Sequence, residues 1–171
     1  IVVTFLIALR GREKPNRRIL FRQRNALFTA AERSFLGVLD QAATGRYRVF
    51  GKVRIADVLA PAGGLDKSTW TSVFNRIKAK HFDFVLCDPQ TLQVKAVIEL
   101  NDKSHTGSRQ IERDELIGRA CAEAGLALRV IKARRSYSVE AVRRTVNEID
   151  MATRVDTDGD HEAREEPILT G

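Results

Sequence analysis

The stretch Phe82–His105, FDFVLCDPQTLQVKAVIELNDKSH, constrains this chain more than any other. It reads as two apolar strands joined by a turn at Asp88-Pro89-Gln90-Thr91, with one carboxylate inside each strand, Asp83 and Glu99. Strands so rich in Val, Ile, Leu and Phe are buried on both faces, and a carboxylate there costs desolvation energy unless it has a partner. With the turn centred near Gln90-Thr91, Asp83 falls opposite residue 98 or 99, which makes Asp83 and Glu99 neighbours across the pair. Asn101 shares a sheet face with Glu99 because side chains alternate with period two.

Two readings of this pair are open. Two carboxylates, completed by water and a backbone carbonyl, suit magnesium or manganese. Such an ion would activate water and stabilise the charge developing on a phosphate. Lys103 and His105, just past the second strand, would then offer a charge or a proton-transfer group. In the other reading Asp83 and Glu99 each pair with a Lys or Arg, and His105 caps the next helix.

The rest of the chain supplies the layers for such a hairpin. Thr29-Ala30-Ala31-Glu32 is a capping box opening a helix to Ala43, with Phe35, Leu36, Val38 and Leu39 facing the core. A strand is predicted over Tyr47–Val53, and one helical turn near Ile55–Leu59. In a helix from about Lys67 to Lys80, Trp70, Val73, Phe74 and Ile77 recur at the spacing of a buried face. Its outer side is basic, and Arg76, Lys78 and Lys80 are candidates for contacting phosphates near the entrance of the hairpin; a solvated helix face is the plain alternative. A helix over Gly107–Gly125 turns Ile111, Leu116, Ile117 and Ala120 inward. A short strand over Leu126–Lys132, a basic turn at Lys132–Arg135 and a helix from Val139 to Met151 with Ser138 as N-cap complete the domain. The order is helix, strand, helix, hairpin, helix, strand, helix: an α/β sandwich around a small mixed sheet.

Charge separates the ends from the middle. Residues 1–24 hold 7 Lys/Arg against 1 acid, and the tail from Thr153 holds 6 acids against 2 Arg, which leaves 20 basic and 15 acidic residues between them. Three regions follow: an apolar segment and basic linker over residues 1–28, one α/β domain over 29–152, and an acidic tail over 153–171 predicted to be disordered. A membrane helix needs roughly 20 apolar residues. Ile1–Leu9 is therefore expected to be either the end of a membrane anchor, with the basic block holding the domain at the cytoplasmic face, or a short arm packed on the domain. Cys87 and Cys121 have no zinc-ligand spacing and are expected to be buried, reduced thiols of a cytoplasmic protein. No heptad pattern is present, so a monomer is the default.

The segments TAAERSFLGVLDQA, RYRVFGKVRIADVL and HFDFVLCDPQTLQVKAVIELNDKSH, with Arg113-Asp114 in the helix that follows, resemble the family called domain of unknown function 2726. The resemblance covers roughly Phe28 to Lys132. That family in turn is similar to the restriction-endonuclease-like PD-(D/E)xK superfamily, near the very-short-patch-repair endonucleases, whose E-x-D-G-x-x-H pattern stands here as Glu99-Leu100-Asn101-Asp102-Lys103-Ser104-His105. The resemblance implies a restriction-endonuclease-like α/β/α sandwich and a Mg2+ or Mn2+ site with Asp83 as first and Glu99 as second metal carboxylate. It further implies His105 as a catalytic or phosphate-contacting histidine, and Glu32 as a supporting helix glutamate, a role its capping box also explains. Arg113 and Asp114 would support the site. The superfamily's lysine two residues past the glutamate is replaced by Asn101, so either Lys103 takes that role or the site is weak.

Three functions compete on these grounds: a metal-dependent nuclease, a non-catalytic nucleic-acid-binding module, and a membrane-tethered interaction domain. A nuclease requires its carboxylates on one wall, and a binder requires only a continuous basic surface.

Overall fold

A computed structural model describes residues 20–101 and 107–162, with side chains assigned as far as Met151 apart from that of residue 109. The elements are α1 (Ala30–Ala43), β1 (Arg48–Arg54), a 3-10 turn (Ile55–Asp57), α2 (Lys67–Ile77), β2 (His81–Cys87), β3 (Val94–Asn101), α3 (Ser108–Glu123), β4 (Ala127–Lys132) and α4 (Val139–Glu162). The four strands form one mixed sheet in sequence order. β1 and β3 flank β2 antiparallel, and β4 runs parallel to β3 after the α3 crossover.

Alternation along the strands divides the core between the two faces of the sheet. Phe84, Leu86, Ala96 and Ile98 point to one side, where Phe35 and Leu39 of α1 meet Val142, Val146 and Ile149 of α4. Val85, Cys87 and Val97 point to the other, against Ile55, Ile77 and, from α3, Ile117 and Cys121. Phe84 anchors the first layer, with its ring 5.4 Å from Phe35 and stacked 5.8 Å from Phe28. The alternation breaks at one place. Val53 and Phe82, partners across β1 and β2, pack with the second layer, although their parity assigns them to the first. Between Gly51 and Val53 the chain passes through Lys52 at φ 55, a left-handed conformation that turns the strand over.

The hairpin turn is held by Asp88. Its Oδ1 accepts from the backbone of Gln90 (2.9 Å) and Thr91 (2.8 Å), and its own N–H donates to the Gln93 carbonyl at 2.9 Å. The register that results pairs Phe84 with Ile98, which sets Asp83 level with Glu99 as the spacing predicts. Cys87 and Cys121 are free and buried, and burial pushes both thiols up, Cys121 to about 11.

Three expectations from periodicity need correction. Trp70 is 41% exposed, stacked on Phe74 rather than buried, because α2 leans on the 3-10 turn and buries only Ile77. Ile111 is 53% exposed: it lies in the first turn of α3, ahead of the buried Ile117 and Cys121. α4 continues to Glu162, beyond the end predicted at Met151, since no proline interrupts 152–162 and extending an existing helix costs little. The remainder of the predicted tail, 163–171, lies outside the described residues, as do residues 1–19 with the candidate anchor. No helix among the described residues is long and apolar enough to cross a membrane.

Candidate functional site

Among the described residues, Asp83 and Glu99 are the two buried charged residues of the core, 8% and 6% exposed. The β2–β3 ladder stops at Phe84 and Ile98, and side chains take over from backbone one residue further on. The Asp83 N–H donates to Glu99 Oε1 at 3.3 Å, while Asp83 Oδ2 accepts from the Leu100 N–H at 2.9 Å. Where the ladder stops, each carboxylate accepts a hydrogen bond from the backbone of the opposite strand.

Two cations complete the pairing. Lys52 Nζ donates to Asp83 Oδ1 at 2.8 Å and to Glu32 Oε1 at 2.7 Å, linking β1, β2 and α1. Arg113 Nη2 donates to Glu99 Oε2 at 2.8 Å and to the His81 carbonyl at 3.2 Å. Its other arm reaches Asp114 at 3.2 Å, and Asp114 also accepts from Gln110 at 3.0 Å and from the Asn101 amide at 3.4 Å. Glu32 keeps its cap as well: its Oε2 accepts from Thr29 N–H at 2.9 Å. The two roles considered for Glu32 are therefore both realised, one on each oxygen.

The electrostatics follow from this arrangement. Four carboxylates (Glu32, Asp83, Glu99, Asp114) face two cations, so the cluster carries excess negative charge. Burial, then the charge of Asp83, raises Glu99 to about 7 against the opposing pull of Arg113. Burial alone would raise Glu32, but hydrogen bonds from Lys52 and Thr29 outweigh it and hold Glu32 below its ordinary value. Burial would lower Lys52, and its bonds to Asp83 and Glu32 instead raise it.

A hard divalent ion would be held by Asp83 and Glu99, whose four oxygens each accept from a protein donor; magnesium is commonly held by one or two carboxylates with water and substrate completing its shell. Among the described residues no group of three or more His, Cys, Asp and Glu is placed to cage a metal. An ion here would share Asp83 and Glu99 with Lys52 and Arg113.

Of the residues singled out in the sequence, the structure gathers Glu32, Asp83, Glu99, Asn101, Arg113 and Asp114 into one network, while Lys103 and His105 lie outside the described residues. Arg76 and Lys78 are exposed, and Lys80 folds back onto the Arg76 carbonyl at 2.6 Å. All three directly precede β2, at the same end of the sheet as Asp83. Asn101 pairs with Lys132, so the exposed Lys132, Arg134 and Arg135 flank that end too. Sequence reasoning missed Lys52 and Gln110. The signal for Lys52 was a glycine inside the strand RVFGKVR, which marks a bulge or a close approach. A side pocket of about 160 Å³ between α3 and the β3–β4 edge, lined by Leu100, Ile117, Leu128 and Val130, opens beside Glu99.

These features define a mixed α/β domain whose sheet ends in a buried, cation-paired carboxylate cluster. The description "Protein of unknown function (DUF2726)" matches residues 24–149, most of the chain, and the protein belongs to that family. No curated protein and no solved structure matches it.

Proposed function

We propose that this domain is a metal-dependent nuclease of restriction-endonuclease-like architecture, hydrolysing phosphodiester bonds in nucleic acid. The observation that carries this reading is the meeting of Asp83 and Glu99 where the β2–β3 ladder opens. Burying two carboxylates side by side destabilises a core, and such clusters are characteristic of sites that perform chemistry. The order of elements around the mixed sheet and the basic residues at the same sheet end support it.

Asp83 and Glu99 would hold Mg2+ or Mn2+. The ion, when bound, supplies an activated water and neutralises charge on the phosphate. Arg113 fixes the rotamer of Glu99 and is itself fixed by Asp114 and the His81 carbonyl. Lys52, anchored by Glu32, does the same for Asp83. Lys132, Arg134 and Arg135 on one flank and Arg76, Lys78 and Lys80 on the other would hold the backbone of the nucleic acid by charge. Lys103 and His105 remain the candidates for a charge or a proton-transfer group just past β3.

Nicking of supercoiled plasmid in magnesium and in manganese tests this reading. The wild type is expected to nick, and Asp83→Ala and Glu99→Ala to lose on the order of 100-fold or more. Cleavage that survives both substitutions would refute the site. A second reading, a nucleic-acid-binding module without catalysis, is favoured by the pairing of each carboxylate with a protein cation. It predicts salt-sensitive DNA retention and no nicking.

A further inference from the structure

Lys52 has a setting that charge pairing alone does not require. Its backbone sits at φ 55 in the middle of a strand, a conformation that non-glycine residues seldom adopt and that clusters at functional sites. The residue before it is glycine for a steric reason: a Cβ on Gly51 would lie 2.2 Å from Cζ of Phe28. The Phe28 ring and the left-handed turn together aim one amine out of β1, between α1 and β2, where it touches Glu32 at 2.7 Å and Asp83 at 2.8 Å. The Lys52 side chain is still 27% exposed, so the amine is reachable from solvent while its two carboxylate partners are more deeply buried. Among the described residues it is the one cation bonded to Asp83. Asn101, at the position where the family resemblance implies a lysine, donates instead to Asp114.

We propose that Lys52 is the phosphate-binding lysine of this site, supplied by β1 in place of the residue occupied by Asn101. The inference rests on the nuclease reading above and adds the group that meets the substrate. In the resting protein Lys52 is stored on Asp83 and Glu32. When nucleic acid arrives, the flexible stem lets the amine donate to a non-bridging oxygen of the scissile phosphate; the Asp83 oxygen it releases would then be free to hold an ion. Glu32 remains as its anchor, which limits the movement to one side chain. No bond to Lys52 is made or broken; its amine stays protonated and contributes charge at the phosphate.

The test compares Lys52→Gly, Lys52→Arg and Lys52→Cys with the wild type in plasmid nicking. Glycine accepts the left-handed backbone, so that variant loses the amine without adding backbone strain, and its fold is checked by circular dichroism before cleavage is compared. Its cleavage is expected to fall on the order of 100-fold, with the loss in kcat rather than KM. Arginine is expected to restore part of the activity. Alkylating the thiol of Lys52→Cys with 2-bromoethylamine rebuilds an amine of nearly the same length, and Cys87 and Cys121 are buried away from the reagent. Cleavage is expected to return on alkylation. If Asp83→Ala and Glu99→Ala are inactive but Lys52→Gly cuts within about threefold of wild type, the role of Lys52 is wrong and the nuclease reading stands. A folded, alkylated variant that remains inactive also overturns the role. If the wild type does not nick, or both carboxylate variants do, the nuclease reading falls and the inference falls with it.

Discussion

Replacing Glu99 by glutamine is expected to change the pH dependence of stability in a direction the structure dictates. The carboxyl rises from 4.5 to about 7 in the folded chain, first through burial and then through the charge of Asp83. A raised folded-state value means that the native protein binds this proton more tightly than the unfolded chain does. The stability it contributes is complete below about pH 4.5 and is lost as pH climbs through about 7. At 1.36 kcal/mol per unit the shift corresponds to about 3 kcal/mol across that window. Solvent screening reduces this little, because Glu99 is 6% exposed. Glutamine has nearly the same shape and can still accept from the Asp83 N–H, but it does not titrate. It also leaves Arg113 with Asp114 and the His81 carbonyl alone, a cost that offsets the whole curve without tilting it. The quantity to measure is therefore the difference between the two proteins as a function of pH. Urea unfolding followed by circular dichroism and Trp70 fluorescence, at steps from about pH 5 to pH 8, supplies it where the two probes coincide. Wild type should lose about 3 kcal/mol relative to Glu99→Gln over that range. Saturating magnesium should flatten the wild-type curve, since a cation at the cluster removes the excess negative charge. Parallel curves in the absence of metal would refute the claim that Glu99 is the strained carboxylate of the site.

Two further perturbations address the supports of the site. In Gly51→Ala the new methyl must displace the Phe28 ring from its stack on Phe84 or move β1, at about 1–3 kcal/mol in chemical denaturation; the same change made in a Phe28→Ala background should cost much less, and equal costs would show that the ring is not the obstacle. Replacing Lys132, Arg134 and Arg135 together with serine should lower the slope of log affinity for duplex DNA against log salt by up to about 0.9 per lost phosphate contact, with the unfolding midpoint unchanged; an unaltered slope would remove that flank from the proposed interface.

What the chain discloses without a structure depends on whether a feature's cost is local. A carboxylate inside FDFVLC or VKAVIELN is anomalous on its own strand, so Asp83 and Glu99 stand out at once, and the Asp88 turn is enough to bring them level. The remedy for that anomaly is not local. Lys52 lies 31 residues from Asp83 and Arg113 lies 14 from Glu99, and neither is conspicuous until β1 pairs with β2 and α3 crosses back over the sheet. The alternatives left open for the pair, a metal or protein cations, were undecidable at that level, because both answer the same shortage of positive charge. The misjudged helix faces have a related origin. Periodicity says that Trp70 and Ile111 lie on apolar stripes, but the depth of burial depends on what those stripes meet: α2 buries only Ile77 in the core, and α3 commits its later turns to it. The left-handed Lys52 joins these threads. A strand that alternates perfectly aims a side chain at one face or the other, whereas Lys52 reaches both Glu32 of α1 and Asp83 of β2. The sequence marks the place, through a glycine that a uniform strand would not choose, and the packing of Phe28 against Phe84 explains that glycine, since a Cβ there would meet the ring. The same deviation that cost the sequence reading its cleanest rule is the one that positions a cation on Asp83.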